Sequence, residues 1–147
     1  MAELVQDVLV DASPETIFPL LTEADQHARW MGTEVELDAR PGGVYRVLVA
    51  GQYPAVGEFV EVVDNDKVVF TFGWDAPDNP VGPGSSTVEI SLHPEGGKTR
   101  VRLVHRGLPD APDEVVQQHA HGWAHYVSRL SLAAAGEEPG PDRGPQG

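Results

Sequence analysis

The chain has 147 residues, with 23 acidic and 10 basic side chains, a formal charge of −13 and no cysteine. That length suits one domain, which buries about 70% of the surface its unfolded chain exposes. The charge argues against nonspecific binding to nucleic acid or to an anionic membrane, and the missing thiols exclude disulfide scaffolds, thiol catalysis and thiolate-held zinc or iron–sulfur clusters.

A disulfide-free chain suits a reducing cytosol, so a cytoplasmic location is expected. The opening stretch, MAELVQDVLVDASPE, carries acids where a signal peptide is basic. No uninterrupted apolar run approaches the roughly 18 residues of a membrane helix.

In chain order, Leu4 to Val10 reads as an opening strand. Ser13-Pro14-Glu15-Thr16 then reads as a helix start, with Ser13 as N-cap and Pro14 in the first helical position. Ile17, Leu20 and Leu21 give this helix an apolar stripe, and Pro19 keeps it short or kinked. Glu23 to Trp30 fits a second short helix.

From Thr33 the period changes to two. Val35 and Leu37 alternate with acids, Arg40-Pro41-Gly42-Gly43 makes a turn, and Val44–Ala50, Val56–Val63 and Lys67–Trp74 follow as strands. Asp64-Asn65-Asp66 suits a hairpin connection. Ala76 to Ser85 is a long Pro/Gly loop, and Thr87–His93 and Thr99–Arg106 form a final hairpin around Pro94-Glu95-Gly96-Gly97. One long amphipathic helix is expected from Asp113 to about Ala135, with Val116, His119 or Ala120, Trp123, Tyr126 or Val127, and Leu130 on its apolar face. The last residues, GEEPGPDRGPQG, cannot bury enough apolar surface to offset ordering, which predicts a domain over residues 1–135 and a disordered acidic tail over 136–147.

These elements imply an α+β fold in which an antiparallel sheet of about seven strands buries one face against the terminal helix. Tyr45, Val47 and Val49, then Phe70, Phe72 and Trp74, then Val88, Ile90 and Leu92, then Val101, Leu103 and His105 share inward faces. Arg46, Thr71, Glu89, Ser91, Arg100, Arg102 and Arg106 fall on the opposite, water-facing side.

The order of elements resembles the helix-grip fold of the START-like (SRPBCC, Bet v-like) superfamily. Within it, the chain is similar to the branch named after the activator of the heat-shock chaperone ATPase, the Aha-type homologues. The residues that carry the likeness are Ala12-Ser13-Pro14-Glu15, Ile17-Phe18, Leu21-Thr22, Trp30, Arg40-Pro41-Gly42-Gly43-Val44-Tyr45-Arg46, Gly57 through Glu61 and Val68 to Phe72. Ser86 to Ile90, Thr99-Arg100-Val101, His105 to Leu108 and Gly122-Trp123 continue it in order. Pro19 is the one departure. The resemblance implies a curved sheet wrapped around the long helix, and its members include binding proteins, lipid carriers, cyclases and co-chaperones.

Such a fold suggests a cavity between sheet and helix that takes a small apolar or aromatic ligand. The candidate site residues are Trp30, Tyr45, Phe59, Phe70, Phe72, Trp74, Ile90, Leu103, His105, His119, Trp123 and Tyr126, with Ala76–Ser85 as a candidate lid. His105 and His119 read either as ligand contacts or as packed imidazoles bonded to a backbone carbonyl or to Tyr126. Glu61 reads as a buried acid or as a rim or cross-strand partner of an arginine.

His121 and His125 have the i, i+4 spacing of metal ligands, but Gly122 stands where a catalytic Glu belongs and no third ligand is evident. Arg40 to Gly43 reads as a turn and not a phosphate loop, since no helix follows. No catalytic residue, metal or cofactor is assigned. The alternatives to a binding protein are a chaperone-contacting ATPase-activator module, for which Arg100, Arg102 and Arg106 offer a local basic stripe, and a cavity enzyme such as a cyclase or hydrolase. Either a monomer or a homodimer is compatible with this reading.

Overall fold

Ser13 accepts the backbone N–H of Thr16 at 3.2 Å and caps the first helix, as its position before Pro14 predicts. The computed structural model describes residues 2–108 and 113–145, so Pro109 and its neighbours before the last helix lie outside it. The elements run β1 (Ala2–Val10), α1 (Pro14–Thr22), α2 (Ala24–His27), β2 (Glu34–Leu37), β3 (Val44–Val49), β4 (Tyr53–Val63), β5 (Lys67–Phe72), β6 (Ser86–Glu95), β7 (Lys98–Leu108) and α3 (Asp113–Ala134).

Pro19 sits inside α1 without ending it. The carbonyl it leaves without a helical donor belongs to Glu15, an exposed residue. The Trp30 indole donates to the Leu20 carbonyl at 2.7 Å and ties the segment after α2 to the end of α1. His27 donates through Nδ1 to the Met31 carbonyl at 3.0 Å, closing that segment on itself.

The strands form one seven-stranded antiparallel sheet in the order β1-β7-β6-β5-β4-β3-β2. The alternation read from the sequence matches its register. Leu4, His105, Val88, Phe70 and Phe59 stand opposite one another across five strands and all are buried. On the outer face Arg100 bonds Asp7 at 2.6 Å and Glu95 at 2.8 Å, while Arg106 bonds Glu3 at 3.1 Å and Glu89 at 3.5 Å. The arginine stripe is therefore largely neutralised by its neighbours.

Two features curve the sheet. The register of β4 against β5 shifts between Phe59 and Glu61, and a Cβ at Gly57 would collide with the Thr71 carbonyl. The helix-grip architecture is thus present: a curved sheet against one long helix, with α1 and α2 after the first strand.

Several element boundaries depart from the sequence reading: α2 covers only Ala24–His27, short of the expected Trp30, the last hairpin strands run longer, and β4 and β5 also differ. β4 starts at Tyr53 instead of Val56, because Ala50 and Gly51 both take left-handed φ (56° and 70°) and Gln52 N–H closes on the Val49 carbonyl at 3.0 Å, in a three-residue connection between the paired Val49 and Tyr53. β5 stops at Phe72, and Trp74 reaches only an isolated bridge to Ala55.

The segment after α3 also makes contacts with the domain. Composition predicts disorder from Gly136; residues 136–145 run back across the domain and Asp142 is only 5% exposed. Polar contacts hold it where apolar burial is lacking. Asp142 accepts N–H groups from Gly32 (2.8 Å), Ala50 (2.9 Å) and Gly144 (2.9 Å) and the Tyr126 hydroxyl (2.8 Å).

Candidate functional site

The apolar face of α3 buries Val115, Trp123, Tyr126, Val127 and Leu130. Its N-terminal half borders open space on one side. A cavity of about 700 Å³ opens there, floored by Met31, Val49, Phe72, Val115, Trp123 and Tyr126, with Trp74, His119 and Gly122 in its wall. Its rim is polar and exposed, drawn from Gln52, Tyr53, Asp75, Asn79, Glu114 and Gln118 together with Pro77, Pro80 and Pro145. Apolar walls with a few convergent polar groups are the usual construction of a small-molecule site.

The histidines behind and within this wall have determinate roles. Trp123 Nε1 donates to His105 Nδ1 at 3.0 Å, so Nδ1 bears the lone pair. His105 then carries its proton on Nε2 and donates to Ser86 Oγ at 2.8 Å, and the Ser86 hydroxyl in turn donates to the Phe72 carbonyl at 2.7 Å. Trp74 Nε1 donates to His119 Nε2 at 3.0 Å, and His119 Nδ1 donates to the Val115 carbonyl at 2.7 Å.

Each imidazole is therefore neutral, with one nitrogen accepting from an indole and the other donating. Burial pushes His105 down to about 3, with the neighbouring His119 adding to the shift. Burial likewise lowers His119, against an opposing pull from the Val115 carbonyl. Both nitrogens of each ring are committed to hydrogen bonds, so neither imidazole has one left to act as acid or base.

Of the residues expected at a site, Phe72, Trp74, His119, Trp123 and Tyr126 line the cavity. His105 stands behind Trp123 and Phe72, fully buried, with its ring 5.5 Å from that of His119. Trp30, Tyr45, Phe59, Phe70, Ile90 and Leu103 pack instead in the solid core, where Tyr45 stacks on Phe70 at 4.1 Å. Alternation identifies the inward face of a strand but not which end of the sheet faces a void.

The Ala76–Ser85 loop contributes a wall and is anchored. Val81 is 1% exposed, and its carbonyl accepts the Trp74 N–H at 2.7 Å. Gln52, Tyr53, Pro54, Glu114, Gln118 and Pro145 were not foreseen at the site; they come from a hairpin tip, the start of α3 and the C-terminal segment. Among the lining residues not foreseen, Gly122, a lone glycine in a helical pattern, carried a sequence signal.

The remaining candidates take simple roles. Glu61 is exposed and pairs with Lys67 at 3.1 Å, a cross-strand contact. Gly42 and Gly43 spend their N–H groups on the carbonyls of Phe59 and Arg40, each at 2.8 Å, which leaves no phosphate cradle. His121 is exposed and His125 packs edge-on against Tyr126 at 4.9 Å. Among the described residues no group of three or more potential ligands could hold a metal ion, and no helix is long and apolar enough to cross a membrane.

Comparison with known proteins places this architecture. An AHSA1-like protein from Rhizobium etli, solved by NMR, is 44% identical over 96% of this chain and 86% of its own, with a TM-score of 0.75. The Aha1 dimer from Colwellia psychrerythraea is 19% identical, covering 91% of this chain and 96% of its own at a TM-score of 0.76. An HSP90 activator from Plasmodium falciparum is 19% identical, covering 92% and 97% at 0.74. At that identity the last two show the fold alone. No curated protein matches the sequence. Residues 11–135 match the family described as Activator of Hsp90 ATPase homolog 1-like protein, and the chain belongs to that family.

Proposed function

We propose that this protein is a non-enzymatic cytoplasmic binding protein for a small apolar or aromatic molecule held between the sheet and α3. The observation that carries this reading is the aromatic cavity, with neutral His119 in its wall and neutral His105 buried behind it, each accepting from an indole. Its volume of about 700 Å³ falls within the range of about 300–1,000 Å³ typical of ligand pockets. Phe72, Trp74, Trp123 and Tyr126 would supply the contact area, and the polar rim would orient the ligand's exposed end. Native mass spectrometry of freshly purified protein tests the reading: it expects a bound species of a few hundred daltons, or saturable uptake of an added neutral aromatic probe. Bare protein with no saturable uptake overturns it.

A second reading, a module that contacts a chaperone and activates its ATPase, draws support from the family's description and from the fold shared with the Plasmodium falciparum activator. The pairing of Arg100 and Arg106 with acids weakens the basic stripe expected to serve it. Measuring a chaperone's ATPase rate with and without the protein separates the readings, because pure ligand carriage leaves that rate unchanged.

A further inference from the structure

The C-terminal segment is attached to the cavity's own frame. Asp142 gathers donors from three separate elements: Gly32 N–H after α2, Ala50 N–H in the β3–β4 turn, and the Tyr126 hydroxyl on α3. Each of these is a cavity-lining residue or the chain neighbour of one, since Met31, Val49 and Tyr126 line the void. Three residues further on, Pro145 itself forms part of the rim. Upstream, Arg129 grips the same segment, donating to the Pro139 carbonyl at 3.1 Å and the Gly140 carbonyl at 2.7 Å while also bonding the Trp30 carbonyl at 2.7 Å.

The segment's composition makes this attachment conditional. Residues 136–145 are GEEPGPDRGP, with no large apolar side chain to drive them onto the domain. Docking must offset the backbone freedom of every residue it fixes, and the return is concentrated in the hydrogen bonds at Asp142 and Arg129. A segment held mainly by polar contacts, with little buried apolar area, belongs to the part of a structure that opens locally before the core does. When it leaves, the N–H groups of Gly32 and Ala50 and the Tyr126 hydroxyl become available to water or to an incoming ligand's acceptor.

We propose that residues 136–145 form a strap across one side of the ligand cavity, latched by Asp142, and that release of this latch gates ligand entry and exit. The proposal rests on the ligand-binding reading above. The strap closes the gap that α3, the β3–β4 turn and Met31–Gly32 leave between them, and it does so from a part of the chain beyond the matched family region at residues 11–135.

The test uses the full chain, with N-phenyl-1-naphthylamine as a neutral apolar probe followed by stopped-flow fluorescence, and amide hydrogen exchange as a second readout. In Asp142→Ala the probe should associate and dissociate at least five-fold faster than in the unaltered protein. The amides of Gly32 and Ala50 should exchange at least ten-fold faster, while those of β6 and β7 keep their protection and report an intact fold. Asp142→Asn, which preserves the side chain's size, carries the same test if alanine unfolds the domain. Probe binding with unchanged rates, or unchanged exchange at Gly32 and Ala50, overturns the strap and leaves the ligand reading standing. Failure of the unaltered protein to bind the probe overturns both.

Discussion

Trp123 donates its indole N–H to Nδ1 of His105 at 3.0 Å, from the cavity floor into the buried centre of the sheet. That bond decides the tautomer of His105, directs its remaining proton to Ser86, and ties α3 to β7 and β6. A matching bond from Trp74 fixes His119. The two tryptophans are therefore both wall and scaffold of the same cavity.

Removing the Trp123 donor leaves a buried acceptor unsatisfied. Trp123→Phe is expected to cost about 2 kcal/mol in urea unfolding, most of it from His105 Nδ1 losing its partner. A change below about 0.5 kcal/mol would show that the bond contributes nothing net.

The buried imidazoles predict an acid-side loss of stability. Burial pushes His27 down to about 4 and His105 to about 3, whereas an unfolded imidazole takes its proton near 6.5. Below pH 6.5 the unfolded chain therefore binds protons that the native state refuses. Stability is full above that pH and falls progressively toward pH 4 and then 3. At pH 5 each histidine removes about 2 kcal/mol. Urea midpoints between pH 7 and 4.5 check this; a midpoint constant down to pH 4.5 contradicts it.

The Tyr45 hydroxyl is buried with no hydrogen-bond partner among the described residues, and burial raises its pKa well above the usual phenol value. Tyr45→Phe removes a polar group whose desolvation nothing offsets while keeping the stack on Phe70. The variant should be as stable as the parent or more stable by about 1 kcal/mol in thermal unfolding. Marked destabilisation would mean that the hydroxyl has a partner in solution.

Ala50 holds φ at 56° in the tip between β3 and β4, where the same N–H bonds Asp142. Left-handed backbone costs alanine about 1–2 kcal/mol, part of which glycine's greater unfolded freedom takes back. Ala50→Gly should therefore raise stability by about 0.5–1 kcal/mol in equilibrium unfolding, and any loss would contradict strain at this position.

What the sequence revealed and what it concealed divide along physical lines. Period-two alternation around Phe70, Ile90 and Leu103 and the 3.6-period stripe through Trp123 and Leu130 reported the sheet, the helix and their facing sides, because burial imposes those periods. The same signal could not separate Phe59 and Phe70, which fill the core, from Phe72 and Trp74, which border a void, since both sets face inward. Asp142 was invisible for a different reason. A carboxylate in a Gly/Pro-rich stretch reads as solvated, and its four donors come from positions scattered between Gly32 and Gly144. The turn at Ala50 was hidden because alanine is not a residue expected at left-handed φ.

Gly122 offers the most direct test of the central claim, that the space between sheet and α3 is a ligand site. It lies within α3 on the cavity wall, and a Cβ built there meets no heavy atom within 4 Å. Gly122→Leu should fill the void and gain helix propensity of about 0.8 kcal/mol. Titrating the parent and this variant with N-phenyl-1-naphthylamine measures both consequences. The account predicts saturable one-to-one binding by the parent, at least ten-fold weaker binding by Gly122→Leu, and an unchanged or higher melting temperature for the variant. Equal binding by the two proteins, or none by the parent, would contradict it.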